Sequence, residues 1–165
     1  MKKVLRVRIS EHAVAGDSVR LKSYGLGSCI GLVIWDRARK IGGMAHILLP
    51  AARNHSFRHK SAKYASSAVT VLVEELLGRG CDHKQLVAKI AGGANMFPLR
   101  FNLACSEPGT SIGQLNVRAV KQALVRRKIP LVSEEIGGER GRTIEFDPRS
   151  GELFVYNSSG EVKVI

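Results

Sequence analysis

The 165-residue chain holds three cysteines, Cys29, Cys81 and Cys105, and five histidines. Only Cys29 has a histidine that local structure could bring to it. Residues 29–35 (CIGLVIW) and 40–49 are apolar runs separated by a turn at 36–39. If a four-residue loop pairs Trp35 with Lys40, the ladder continues through Val33 with Gly42 and Gly31 with Met44 to Cys29 with His46. Residues opposed in an antiparallel pair share a face, with Cβ atoms ~4.5–5.5 Å apart. A slip of one residue would put them on opposite faces. A thiol facing an imidazole is the minimal apparatus for nucleophilic acyl chemistry: the ring takes the thiol proton, sulfur attacks a carbonyl, and the imidazolium protonates the leaving group. Gly25 and Gly27 let the chain turn sharply just before Cys29. Backbone N–H groups of that turn, at Gly27 and Ser28, are candidates to hold an oxyanion and the substrate. Gly42 and Gly43 are expected to leave room beside the site. The alternative is a buried cysteine acting as a small hydrophobe, with a structural histidine nearby.

Other constellations are weaker. Cys81 and Cys105 lack a glycine-rich lead and a facing histidine, and are read as inert. The cysteine count is odd and no CxxC pair exists, which disfavours a disulfide scaffold or a four-cysteine zinc site. His55 and His59 have i, i+4 spacing, but lie in a basic loop with no carboxylate near, so no metal is expected there. GLGSCIG is not a dinucleotide fingerprint, because no helical pattern follows it.

The elements that must position these residues can be read from periodicity. Alternation in 3–9 sets Leu5, Val7 and Ile9 against Arg6 and Arg8, predicting a half-buried strand. Further strands are predicted near 19–24, 29–35, 40–49, 86–91, 131–136, 142–146 and 152–156, the last two joined by a turn at 147–151. Ala65, Ala68, Val69, Leu72, Val73, Leu76 and Leu77 mark a helix face, with Ser61 as candidate cap. A second helix over 112–128 presents Ile112, Leu115, Val120, Ala123 and Leu124, capped by Thr110 or Ser111. Two helices and about eight strands predict a single α/β layered domain over 1–165, rich in antiparallel or mixed sheet. The order is not a regular βαβ alternation.

Composition narrows the partner. With 26 Lys and Arg against 14 Asp and Glu, the formal charge is +12. Residues 1–60 carry 12 basic and 3 acidic residues, so the excess sits in the first third. An acidic partner is expected. Nucleic acid is disfavoured, since aromatics make up 5% and no recognition motif is present. No apolar stretch approaches the ~20 residues of a membrane span. Arg6 and Arg8 interrupt the first segment, so no signal peptide is read and a cytoplasmic location is expected.

Several ordered blocks then resemble the CheD family of chemoreceptor glutamine deamidases. They are Gly25-Leu-Gly27-Ser28-Cys29-Ile-Gly31, Gly43-Met-Ala-His46-Ile-Leu-Leu-Pro50, Lys63-Tyr64, Gly92-Gly93-Ala-Asn-Met-Phe97, Ile112-Gly113 with Asn116-Val117, and the glycine-rich blocks between Gly137 and Glu152. The resemblance implies a three-layer α/β fold akin to the catalytic domain of the cytotoxic necrotizing factor toxins. It implies Cys29 as nucleophile and His46 as general base. The third member is usually Thr; here it maps to Ser23, which keeps the hydroxyl and loses the methyl. It further implies hydrolysis of receptor glutamine side-chain amides through a thioester, without metal or organic cofactor. The implied partners are the acidic helical bundle of a chemoreceptor and a CheC-type phosphatase; separately, the protein itself is expected to be a monomer. Arg53, Arg58 and Lys60 follow His46 and are expected to flank the site mouth. The competing reading is a non-catalytic regulator that binds a CheC-type phosphatase.

Overall fold

The computed structural model describes residues 3–52, 61–96 and 109–165. In chain order the elements are β1 (Lys3–Arg6), β2 (His12–Ala15), β3 (Val19–Leu26), β4 (Ile30–Asp36), β5 (Ile41–Ile47), α1 (Ala65–Gly78), β6 (Leu86–Gly92), α2 (Ile112–Arg126), β7 (Leu131–Ile136), β8 (Arg142–Asp147), β9 (Glu152–Asn157) and β10 (Val162–Val164). The strands form two five-stranded sheets, ordered β1-β3-β8-β9-β10 and β2-β5-β4-β6-β7. β1 pairs with β3 and β6 with β7 in parallel; the other pairings are antiparallel.

β4 explains why the sheets and helices stack as three layers. Its apolar run is buried along its whole length, and successive side chains of a strand point to opposite faces. Ile30, Leu32 and Ile34 enter a core with Val69, Leu72 and Leu76 of α1 and Val120 and Leu124 of α2. Val33 and Trp35 enter a second core with Leu21, Ile144 and Phe146 of the other sheet. Fully burying each such side chain stabilises the fold by about 1.5–3 kcal/mol. The β4 sheet is therefore the middle layer, with the helices on one side and the β3 sheet on the other. This is the α/β layered arrangement with mixed sheets expected from periodicity, with the three layers that the family resemblance implied.

Details differ from the sequence reading. Among the described residues there are ten strands, not about eight; β2 and β10 have four and three residues, too short to show a period. The half-buried strand expected over 3–9 is the four-residue edge strand β1, exposed throughout. No described residue covers that edge, so Leu5 and Ile9 are 40% and 55% exposed and only Val7 turns inward. Ser61 does not cap α1. Its hydroxyl accepts from the Lys63 N–H in the preceding turn, and the N-cap position is Tyr64. Ser111 does cap α2, in a reciprocal pair with Gln114. Gly42 and Gly43 do not leave open space. A Cβ on Gly42 would lie 2.5 Å from a Phe146 ring carbon, and one on Gly43 would lie 2.7 Å from Leu72 Cδ2. They let the outer layers approach the middle sheet.

The hairpin register also shifts. The turn spans 37–40, so Asp36 pairs with Ile41, Trp35 with Gly42 and Gly31 with His46. The Asp36 carboxylate accepts from the Arg39 N–H and secures this turn. The expected pairing of Cys29 opposite His46 is thus displaced by two residues. An even displacement keeps both on one face.

Candidate active site

His46 comes from β5 and Ser23 from β3, so the two reach each other across the space between the sheets. Both are 0% exposed. Ser23 Oγ lies 2.8 Å from the Val7 carbonyl oxygen and 2.8 Å from His46 Nδ1. A hydroxyl has one proton, and a carbonyl can only accept. Ser23 therefore donates to Val7, and its oxygen accepts from His46 Nδ1–H. That fixes the tautomer and leaves the Nε2 lone pair available as a base. Nε2 is buried and has no hydrogen-bond partner among the described residues. The backbone of His46 is also held: its N–H donates to the Glu11 carbonyl, and its carbonyl accepts from the Ser10 N–H. Burial lowers the imidazole pKa from 6.5 to about 4, so the ring is neutral at neutral pH.

This burial makes folding pH-dependent. The unfolded chain protonates His46 near pH 6.5 and the folded chain near 4. Between these values the unfolded state binds more protons, so stability is full above about 6.5 and falls as pH drops toward about 4. At ~1.36 kcal/mol per pKa unit the loss is about 3 kcal/mol. Urea unfolding at pH 7 and pH 4.5 should show it, and His46→Gln, which cannot titrate, should show a smaller difference between those two pH values.

Cys29 ends the turn that precedes β4 and is buried. Gly25, at φ 69°, lies near the end of β3, where the pairing with β8 shifts register just before the turn. The Gly27 carbonyl accepts from the Ala94 N–H, and the Cys29 carbonyl accepts from the Gly93 N–H, each at 2.9 Å. The end of β6 thus straps the turn in place. Gly92, at φ 117°, is required there: a Cβ would collide with the Cys29 carbonyl. Burial raises the Cys29 thiol pKa, against a smaller lowering from its own N–H. The resting pair is a thiol and a neutral imidazole, not an ion pair. Cys29 shares the inter-sheet core with Val33 and Met44, and His46 lies on the same face of β5 as Met44. Cys29 lies one residue before β4 and two before Gly31, the residue that pairs with His46. No hydrogen bond joins the thiol to Nε2 in this structure; such contacts are commonly long without substrate and tighten when it binds.

Gly27 and Ser28 precede Cys29 in the turn, but the Gly27 N–H donates to the Gly25 carbonyl at 3.1 Å and is not the free donor that the sequence suggested. Met96 packs over Gly27, where a Cβ would meet its Cγ at 2.8 Å. The N–H groups of Ser28 and Cys29 make no hydrogen bond to another described residue, which suits them to an oxyanion. Asn116 of α2, absent from the sequence-based candidates, is 0% exposed and donates through Nδ2 to the Ser28 and Leu48 carbonyls. The signal was its position four residues before Val120 on the buried stripe of α2.

Arg53, Arg58 and Lys60, with His55, His59 and Cys105, lie outside the described residues. Part of the basic excess of the first third is paired. Arg20 meets Glu145 and Asp147, and Lys22 meets Glu145. Cys81 sits apart, near Asp36, and burial foremost raises its pKa. Among the described residues no group of three or more His, Cys, Asp or Glu side chains could hold a metal ion. Nor is any described helix long and apolar enough to cross a membrane.

A family model described as CheD chemotactic sensory transduction matches residues 48–157. Full-length relatives extend the match over the candidate site. A protein of Geobacter metallireducens, "Probable chemoreceptor glutamine deamidase CheD 2", is 47% identical over 156 residues, 94% of each chain. "Probable chemoreceptor glutamine deamidase CheD" of Caldanaerobacter subterraneus subsp. tengcongensis is 39% identical over 163 residues, covering 99% of this chain and 98% of its own. "Chemoreceptor glutamine deamidase CheD" of Bacillus licheniformis is 40% identical over 153 residues, covering 92% of this chain and 89% of its own.

Proposed function

The chain belongs to the CheD family, and from that premise we propose that residues 1–165 act as one domain, a protein-glutamine deamidase of chemoreceptors. The observation that carries this reading is the histidine tautomer. Ser23 holds Nδ1–H, so Nε2 is a buried, unprotonated base on the face that also carries Cys29. As the Cys29 sulfur bonds to the glutamine amide carbon, Nε2 takes the thiol proton. The carbonyl oxygen becomes an oxyanion, and the N–H groups of Ser28 and Cys29 receive it. Collapse breaks the C–N bond, and the proton on Nε2 goes to the leaving nitrogen, releasing ammonia. A thioester remains. Water then loses a proton to Nε2, attacks the thioester, and frees glutamate and the thiol.

The partner in this reading is the acidic helical bundle of a chemoreceptor. The test incubates the protein with the cytoplasmic fragment of a cognate receptor. Released ammonia and the mass gain of amide-to-acid conversion at particular glutamines are then measured, with Cys29→Ala as control. Conversion equal in both proteins would remove the cysteine mechanism. One observation favours a second reading, a non-catalytic regulator of a CheC-type phosphatase: burial raises the Cys29 thiol pKa instead of activating it. A neutral base at Nε2 supplies what the thiol lacks. The second reading expects no glutamine conversion, with phosphatase stimulation retained by Cys29→Ala.

Ser23 has a separate signature. Ser23→Ala strands Nδ1–H and the Val7 carbonyl and frees the ring to change tautomer. Its turnover should fall about 10²-fold, the lower end of what a positioned general base contributes. Alkylation of Cys29 should persist. Ser23→Thr retains the hydroxyl and should keep activity. Ammonia release by the two variants tests this; wild-type turnover by Ser23→Ala would mean another group holds the ring.

A further inference from the structure

Asn116 is a buried polar residue that ties together two segments of the site. Its Nδ2 donates to the Ser28 carbonyl at 2.8 Å and to the Leu48 carbonyl at 3.1 Å. Ser28 directly precedes Cys29, and Leu48 lies two residues after His46. The helix that carries Asn116 is itself fixed. Ser111 and Gln114 cap its start, and Val120, Ala123 and Leu124 anchor the same face in the core. Both N–H donors of the amide are used, while its Oδ1 is buried with no partner among the described residues. A buried acceptor left unpaired is destabilising, so Asn116 is a poor choice for stability alone.

The Ser28 carbonyl and the Cys29 N–H belong to one planar trans peptide and point in opposite directions. Holding the oxygen from one side therefore sets the direction of the N–H on the other. A hydrogen bond at the oxygen also polarises the N–H as a donor. We propose that Asn116 is a positioning residue that clamps the Ser28–Cys29 peptide to the segment after His46, aiming the Cys29 N–H at the oxyanion. This rests on the deamidase reading above and goes beyond it by assigning the source of oxyanion alignment.

The experiment compares wild type with Asn116→Ala and with Asn116→Asp, which keeps the volume and removes both donors. Val120→Ala is the control: it loosens the same face of α2 and leaves the clamp intact. Three quantities are measured on each folded protein: kcat and KM for receptor-glutamine hydrolysis, the rate of Cys29 alkylation by iodoacetamide, and thermal stability. A misaimed oxyanion donor should lower kcat roughly 10- to 100-fold, with KM little changed. Alkylation displaces iodide from a saturated carbon and forms no oxyanion, so its rate should stay near that of wild type. Val120→Ala should lose stability and keep kcat. The proposal is overturned by wild-type kcat in the Asn116 variants, by alkylation falling in parallel with kcat, or by an equal loss in Val120→Ala. Failure of both Asn116 variants to fold would make the residue a folding determinant and overturn it as well. Wild-type protein that converts no glutamine would instead remove the deamidase reading, and the clamp with it.

Discussion

Cys29→Ala is expected to reduce glutamine hydrolysis roughly 10⁵- to 10⁶-fold, to what binding and oxyanion contacts sustain without a nucleophile. The substitution removes one sulfur atom from a turn held by backbone hydrogen bonds from Gly93 and Ala94. The protein should therefore stay folded, and a melting curve beside the ammonia assay separates lost chemistry from lost structure. Cys29→Ser keeps the shape but offers a hydroxyl far harder to deprotonate, and should be similarly inactive. Cys81→Ala should retain turnover, because Cys81 lies near Asp36 and away from His46. Activity in Cys29→Ala close to wild type would refute the thioester route.

Removing the base gives the second large effect. His46→Ala should lower kcat by about 10³- to 10⁴-fold, the upper part of the range for general acid–base catalysis. The pH dependence of wild type should identify the state in which the pair works. Burial lowers the His46 pKa to about 4 and raises that of Cys29. Protonated Nε2 cannot accept the thiol proton, so kcat/KM should fall as pH drops through about 4. Above that the reactive pair is thiol plus neutral imidazole, and the rate should be level through neutral pH. A rate that climbs steadily from pH 7 toward the raised thiol pKa would instead show a free thiolate acting without the imidazole. Steady-state kinetics across that range distinguish the two.

Much of the candidate site was legible in short stretches of sequence. The apolar run of β4 and the turn after it were enough to place Cys29 and His46 in one hairpin. The expected register was off by two residues, because Asp36 holds the turn one position further along. The pairing of faces survived, since strand side chains repeat every second residue. The helix faces were legible from the separate 3.6-residue period of a helix, although Leu77 of the expected α1 face is 39% exposed, and Ser111 was one of two candidate caps for α2. Burial of Asn116 was missed, because a hydrophobic pattern registers only apolar residues and its helical spacing from Val120 counts only once the stripe is known to be covered. The exposure of Leu5 on β1 was equally hidden. Alternation reports which residues share a face, not whether another layer covers it.

Hydrophobic period and turn chemistry act over a few residues, and the sequence by itself determined what depends on them: the strands long enough to show a period, the two helices, and the cysteine–histidine hairpin. Tertiary structure decided which tautomer His46 adopts and what holds the Cys29 turn. Ser23 and His46 are 23 residues apart, and Asn116 lies 88 and 68 residues from Ser28 and Leu48. Those hydrogen bonds exist only after the outer sheet and α2 have closed on opposite faces of the middle sheet. A proton's place on one ring nitrogen is then set by a carbonyl at Val7, which no local pattern connects to His46.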